Sequence, residues 1–319
     1  MQAYIVRRLL QGVGVLLVMS FIIYGLLGLM PGDPIDLMIQ ADPTLTSADI
    51  ARLKALYGLD RPILERYANW ASAALSGDFG YSRQFSRPVL EVLVPRLGNT
   101  LLLMGASFVL AIAIALPLGV LAASRPGSLA DRIVNLFCFA GISVPPFWLA
   151  LLLIMLFAVT LGWLPAGGAA PAGMENPGLA DRLPYLVLPV ITLTLASLAG
   201  LTRYLRASLI EAMREDYIRT ARAKGAGEAR VLWRHGVRNA LIPVVTILAL
   251  DFGTLFSGAL ITETMFAQPG MGKLIYDAIM NNDYNLALVG LLFATLVTLL
   301  ANLAADIGYA KLDPRISYA

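Results

Sequence analysis

The stretch Asp216-Tyr217-Ile218-Arg219-Thr220-Ala221-Arg222-Ala223-Lys224-Gly225-Ala226 carries residue types that bind rather than break bonds. Nine Lys/Arg and four Asp/Glu stand between Arg203 and Arg238. Ala, Tyr, Leu and Val are interleaved with them, a mixture that folds instead of serving as a solvated connector. Such a loop has two uses: a docking surface for a cytoplasmic partner, or a hairpin packed on its own subunit. Asp251 is the second notable residue, an ionisable group in the middle of an apolar run. A charge at the bilayer centre costs at least about 2.5–3.5 kcal/mol, so this side chain should face a helix bundle or a wet cavity. It either lines a pathway and meets a substrate amine, or it is a hydrogen-bonded structural carboxylate. His235 suits packing or hydrogen bonding within the loop, and Cys138 reads as a small core hydrophobe.

Bond-breaking chemistry finds no support. The chain has no nucleophile elbow, no HExxH, no phosphate-cradling Gly-rich loop and no Ser-x-x-Lys. One His and one Cys exclude a protein-only zinc cluster, and one Cys excludes a disulfide framework within the chain. No metal, no cofactor and no enzymatic activity are expected. The net charge is only +3 and the basic residues sit in loops, a topology signal and not a nucleic-acid surface.

The elements that must position these residues are membrane helices. Of 319 residues, 58% are hydrophobic and 14% charged, against about 25% charged in soluble domains. Six apolar runs approach the roughly 20 residues needed to cross a bilayer: Leu9–Met30, Leu101–Ala123, Val134–Leu161, Tyr185–Leu201, Ala240–Ile261 and Leu286–Ala305. The fourth continues as a helix through Arg203 and Arg206. The first follows Arg7-Arg8 but exceeds the roughly 7–15 residues of a signal-peptide core, so it reads as a retained span. Lys/Arg in the short loops place both termini in the cytoplasm. The expected organisation is an N-terminus and first span over 1–30, an extracytoplasmic subdomain over 31–97, a membrane core over 98–308 with the loop 203–238, and a tail over 309–319.

Within 31–97, apolar residues recur at helical spacing from Ile50 to Leu59 and from Ile63 to Leu75. Thr46 or Ser47 suits a cap, and Gly77-Asp78-Phe79-Gly80 a turn. These features predict a small folded subdomain resting on the membrane domain. Pro117, Pro145-Pro146 and Pro189 fall within spans, where they serve packing or act as hinges. Glu263, at the outer end of the fifth span, reads as an exposed carboxylate or as a docking contact for an extracytoplasmic protein.

Several segments together resemble one family. They are Leu29-Met30-Pro31-Gly32-Asp33-Pro34, Gly77-Asp78-Phe79-Gly80, and Tyr217 through Gly225. Further along stand Arg234-His235 with Arg238-Asn239-Ala240-Leu241-Ile242-Pro243. Glu263-Thr264 with Pro269-Gly270-Met271-Gly272, Asp283-Tyr284 and Asp313-Pro314-Arg315 complete the set. In order and over nearly the whole chain, they resemble the B-type permease subunit of a dipeptide or oligopeptide ABC importer, in the peptide/nickel branch. The loop is similar to the coupling, or EAA, loop of such permeases. Aligning the motif glycine with Gly225 puts Arg219-Thr220-Ala221 at the Glu-Ala-Ala positions. His235, Val237 and Arg238 then depart from the general Ile-x-Leu-Pro ending.

The resemblance implies an all-α integral membrane protein of the type I importer permease kind, with six transmembrane helices and a helical extracytoplasmic subdomain between the first two. It implies a multi-pass subunit of the bacterial cytoplasmic (inner) membrane that moves di- or oligopeptides by alternating access. Its partners would be a second, C-type permease subunit, two ATPase subunits that hydrolyse the ATP, and an extracytoplasmic peptide-binding protein, all in membrane lipid. Tyr217, Ile218, Arg219, Thr220, Ala221, Arg222, Lys224 and Gly225 would couple to the ATPase. Charged contacts would come from Arg219, Arg222 and Lys224, and apolar ones from Tyr217, Ile218 and Ala221. Nickel chelates, glutathione or opines are alternative substrates in the same branch. A secondary transporter is the alternative class, expected to show inverted repeats and several buried ionisable groups.

Overall fold

The computed structural model describes residues 2–29, 46, 49, 52, 60–174 and 176–312. The motif residues 31–34 and 313–315 and the helix expected over 50–59 fall outside them, save Arg52. Two compact units divide the chain: Met1–Leu97 with Leu274–Val297, and Gly98–Lys273 with Thr298–Ala319.

In the first unit, α1 (Gln2–Gly28) is the expected first span. Thr46 and Asp49 bond reciprocally: the Thr46 Oγ1 accepts from the Asp49 N–H at 3.3 Å, and the Asp49 carboxylate accepts from the Thr46 N–H at 3.1 Å. The Thr46 hydroxyl, donating to that carboxylate at 2.6 Å, and the Thr46 N–H hold the Asp49 carboxyl below the usual carboxylate range. Helix α2 (Ile63–Leu75) forms where apolar spacing predicts it, and packs on α1. Gly77 and Gly80 take φ of 88° and 77°, making the expected turn.

A small hairpin follows that helical periodicity could not announce. Strand β1 (Tyr81–Ser82) pairs antiparallel with β2 (Arg87–Pro88), Tyr81 opposite Pro88. Two-residue strands are too short to stand alone. Their support is Asp283, whose Oδ2 accepts from the Ser82 hydroxyl at 2.5 Å and the Gln84 N–H at 3.0 Å. Arg83 donates to the Asn281 carbonyl, and Asn285 to that of Tyr81. A Cβ on Gly80 would come within 2.8 Å of Asn285. Two of the sequence motifs, Gly77–Gly80 and Asp283-Tyr284, are thus halves of one knot.

Helices α3 (Val89–Ser124) and α11 (Tyr284–Leu312) each contribute residues to both units. The expected third span, Val134–Leu161, is not one helix. It breaks into α4 (Leu129–Ser143) and α5 (Pro146–Leu153), the latter running on as a π-helix through Thr160, with a bend of 101°. The Pro145-Pro146 pair explains it: each proline drives the residue before it out of the helical region, so Val144 and Pro145 are extended.

Helix α6 (Leu179–Ala212) covers the expected fourth span and continues past Arg203 and Arg206 as read from their spacing. It leads into α7 (Asp216–Ala223), α8 (Glu228–Arg230), a π-helical stretch Val231–Val237, and α9 (Arg238–Met265). Helix α10 (Met271–Met280) precedes α11. Helices α1, α3, α6 and α11 hold apolar spans long enough to cross a membrane, and the bent α4–α5 pair adds a fifth. Helix α9 occupies the remaining expected span. The second unit is cored by Val120 and Ala123 of α3, Leu205, Leu209 and Ala212 of α6, and Val237, Ala240 and Val244 at the start of α9.

Candidate functional site

The loop from 213 to 237 is folded, and its apolar residues are shared between two faces. Ile218 is fully buried and Ala221 nearly so, against Val231 with Met213 and Ala226. Both were expected to offer apolar contacts to a partner; their side chains instead root α7 in its own chain. The reason is their spacing of three, which puts them on one side of a short helix that must hide something. Tyr217, Arg219, Thr220, Arg222 and Lys224 remain exposed. The part of Tyr217 that is covered lifts its phenol above the usual pKa, with Glu215 adding to the shift and a hydrogen bond to Asn239 opposing it.

Gly225 ends α7 in a Schellman motif. Its N–H donates to the Arg222 carbonyl at 2.9 Å, and the Ala226 N–H donates to the Ala221 carbonyl at 3.1 Å. The motif needs a left-handed residue after the cap, and Gly225 supplies φ of 79°. Ala226 also touches the Ile218–Ala221 cluster, the apolar contact that accompanies this cap. The charged ridge is organised too. Arg219 pairs with Asp216, and Arg222 grips Glu228 through two bonds of 2.8 and 3.0 Å. The Glu228 carboxyl is held low by Arg222. The Lys224 side chain carries no hydrogen bond or ion pair among the described residues, while its N–H donates to the Thr220 carbonyl at 3.0 Å.

The base of the loop is stiff. Ser208 on α6 donates to the Ala240 carbonyl on α9 at 2.8 Å. Gly236 lies against α6 so closely that a Cβ would meet Met213 Sδ at 2.7 Å. His235 is half-buried, and its backbone carbonyl accepts from the Asn239 side chain at 2.7 Å.

An ion pair that sequence reading missed sits nearby. Arg206 on α6 forms a fork on Asp131 of α4, Nε to Oδ1 at 2.6 Å and a terminal nitrogen to Oδ2 at 2.8 Å. Asn135 and the Gly127 N–H also donate to that carboxylate, at 2.7 and 2.8 Å. Asp131 is nearly buried. Ser128 caps α4 by accepting from the Asp131 N–H. The Ser-x-x-Asp spacing was the available signal, a helix-start pattern, but it does not reveal the arginine 75 residues on.

Glu263 is neither exposed nor a docking contact. It is 0% exposed. Thr100 donates to its Oε1 at 2.5 Å, and the Lys273 N–H to its Oε2 at 2.9 Å. Thr100 in turn accepts from the Met271 N–H at 2.7 Å, and Asn99 donates to the Pro269 carbonyl at 2.9 Å. A Cβ on Gly270 would lie 1.9 Å from the carboxyl carbon of Glu263, and one on Gly272 3.0 Å from the Leu260 backbone. The Pro-Gly-Met-Gly turn thus folds over Glu263 and encloses it. Glycine is required because the backbone itself covers the carboxylate.

Asp251 lies on α9, near its middle; its side chain is outside the described residues. Cys138 is buried in a small cluster with Ala122, Val134 and Ala199. Among the described residues no group of His, Cys, Asp and Glu could hold a metal.

The arrangement has known counterparts. An oligopeptide transport system permease protein of Bacillus subtilis (strain 168) is 42% identical over 319 residues, all of both chains. A glutathione transport system permease protein of Escherichia coli (strain K12) is 37% identical over 315 residues, 99% of each. Among solved structures, the inward-facing MetNI methionine ABC transporter matches with a TM-score of 0.53 at 20% identity, over 70% of this chain and 97% of that one. An amino acid ABC transporter matches with the same score at 13% identity, over 69% and 94%. These two likenesses speak to the fold, which is that of type I importer permeases. Two family descriptions also match nearly end to end. Residues 1–104 fit the N-terminal part of binding-protein-dependent transport system membrane components, and residues 115–318 fit the inner membrane component itself. The chain belongs to the inner membrane components of binding-protein-dependent transport systems.

Proposed function

We propose that this permease subunit moves di- or oligopeptides across the cytoplasmic membrane, and that the exposed ridge of α7 couples it to an ATPase. One observation carries the coupling reading: α7 is anchored through Ile218 and Ala221 while Tyr217, Arg219, Thr220, Arg222 and Lys224 are left outward. A helix kept only to close a hairpin would not need five outward binding groups. The ion pairs of Arg219 and Arg222 are exposed, and such pairs contribute about 0–1 kcal/mol. A partner can therefore exchange them for its own acidic groups at little cost. ATP-driven closure of an ATPase dimer would push α7, and the stiff base would hand the motion to α6 and α9.

The names of the relatives, oligopeptide and glutathione permeases, support a peptide-like substrate. A second permease subunit, two ATPase subunits and an extracytoplasmic peptide-binding protein complete the assembly. Both termini face the cytoplasm, following the Lys/Arg bias of the loops. Asp251, near the middle of α9, lines the pathway and meets the substrate amine.

Co-expression with the neighbouring transport genes, followed by pull-down and mass spectrometry, tests the coupling. Arg219→Glu with Lys224→Glu should lose the ATPases and keep the second permease, with an unchanged melting temperature. If the chain purifies alone and still transports, the ATPase reading is wrong. Asp251→Asn should reduce peptide uptake; unchanged uptake would sink its pathway role.

A further inference from the structure

Helix α2 has three stripes, not two. At about 100° per residue, Ile63, Tyr67, Trp70 and Ala74 share one side, which faces α1. Leu64, Ala68 and Leu75 form a second stripe, and Glu65, Asn69 and Ser72 a third. Leu64 is 63% exposed and Leu75 89%. A helix wetted all round its outer surface would not carry an apolar stripe between its packed side and its polar side.

The contacts of α2 fix its depth along α1. Ile63 lies against Gly28, at the end of the span, where a Cβ would meet its Cδ1 at 3.1 Å. One turn on, the hydroxyls of Tyr67 and Ser20 hydrogen-bond at 2.8 Å. Tyr67 is also edge-on to Phe21 and Tyr24, with centroids at 5.2 and 5.6 Å, and Trp70 stands 6.0 Å from Tyr24. Ser20 is eight residues inside Gly28, about 12 Å at 1.5 Å per residue. The helix therefore lies against the Ser20–Gly28 stretch of the span instead of standing clear of it. Span Tyr4–Gly28 has 25 residues, about 37 Å, longer than the roughly 30 Å hydrocarbon core. The length excess would put its last turn or so at headgroup level, and α2 lies against the stretch just below, Tyr67 and Trp70 both meeting Tyr24. The cluster of Tyr24, Tyr67 and Trp70 matches the aromatic belt of membrane interfaces. Leu17, Phe21 and Leu26 of α1 are themselves exposed, as lipid-facing residues of a span must be.

We propose that α2 is an interfacial helix seated in the leaflet at the Gly28 end of α1. Leu64, Ala68 and Leu75 lie among acyl chains, and Glu65, Asn69 and Ser72 face water. The occupant of the apolar stripe is lipid, because the stripe adjoins a spanning helix and sits within the depth, about 5–10 Å, at which interfacial helices bury their apolar face. The polar stripe begins with Glu65, paired with Arg61 at 2.9 Å, which anchors the start of the helix on its wet side. The segment between the first two spans is then partly a membrane element and not only a subdomain resting above it.

The test uses the full-length subunit in its assembled complex, reconstituted in lipid nanodiscs. In a Cys138→Ala background, single cysteines are placed by Leu64→Cys, Glu65→Cys, Asn69→Cys and Leu75→Cys, and labelled with a nitroxide. Relaxation by dissolved oxygen and by a water-soluble nickel chelate is then compared. Oxygen should dominate at 64 and 75, and the nickel chelate at 65 and 69. Equal nickel access at 64, 69 and 75 would overturn the proposal in favour of a wetted helix. Protection of 64 and 75 from both reagents would overturn it in favour of a protein covering. All four positions are exposed, so the variants disturb no core; gel filtration of each labelled complex checks its assembly.

Discussion

At the scale of single residues, the strongest constraints lie where backbone and carboxylate meet. Gly270 admits no side chain, since Glu263 occupies the place of its Cβ. Gly270→Ala should lower stability by at least about 1–3 kcal/mol, the range for overpacked sites. A fall in the melting temperature of the detergent-solubilised protein would show it. Glu263→Ala should act through a different route. It leaves the Thr100 hydroxyl and the Lys273 N–H without their acceptor, each a loss of about 1–3 kcal/mol when buried. Asp131→Asn should leave Arg206 facing a neutral group. Breaking a buried pair costs about 3–5 kcal/mol; Arg206 keeps 26% of its side-chain surface exposed, so the low end of that range is expected. Arg206→Lys should be only partly tolerated, because one ammonium cannot reproduce a fork on both carboxylate oxygens.

At the scale of elements, α7 and its cap behave as a small unit with its own rules. Gly225→Ala meets no neighbour within 4 Å, so its cost is backbone strain alone at φ of 79°. About 1–2 kcal/mol is expected for a left-handed residue with a Cβ; Gly227→Ala, at φ of −63°, carries no such strain and should cost less, only what the loss of a glycine N-cap costs α8. Proline at 225 is a harsher change, since its ring fixes φ near −65°. The Arg222–Glu228 pair closes the turn that follows. Glu228 has its carboxyl pKa lowered in the fold by Arg222. Its contribution is present above the unfolded value, about 4.3, and is lost as pH falls through the lower folded value. Amide exchange over residues 222–228, corrected for intrinsic rates, should speed up on acidification through that range. Glu228→Gln should flatten the response.

At the scale of the whole molecule, topology can be read by labelling. With both termini cytoplasmic, a cysteine introduced at Gln2 should react with a membrane-impermeant maleimide only after the inner face is exposed. One placed at Asp78 should react from the outside in intact cells. Reaction of Gln2→Cys from the outside, with Asp78→Cys reacting only once the inner face is exposed, would reverse the orientation drawn from the loop charges.

Much of this was legible without coordinates. Composition and six apolar runs determine a membrane protein, because lipid demands long uncharged segments whatever their packing. The Ala221–Gly225 spacing and the ordered motifs determine the family, and the glycine at 225 foretells the left-handed cap, since that requirement is local. Tertiary structure alone decided the rest. Apolar spacing made α7 amphipathic but could not say that its apolar side, Ile218 and Ala221, was consumed by Val231. Glu263 looked like a helix-end carboxylate because nothing local reveals that Thr100, 163 residues earlier, closes over it. Asp131 and Arg206, and Asp283 with the hairpin at Ser82, are likewise partners far apart in sequence. Charge and hydrophobic pattern report what each segment must hide; which segment hides it is a matter of long-range packing, and that exists only in the fold.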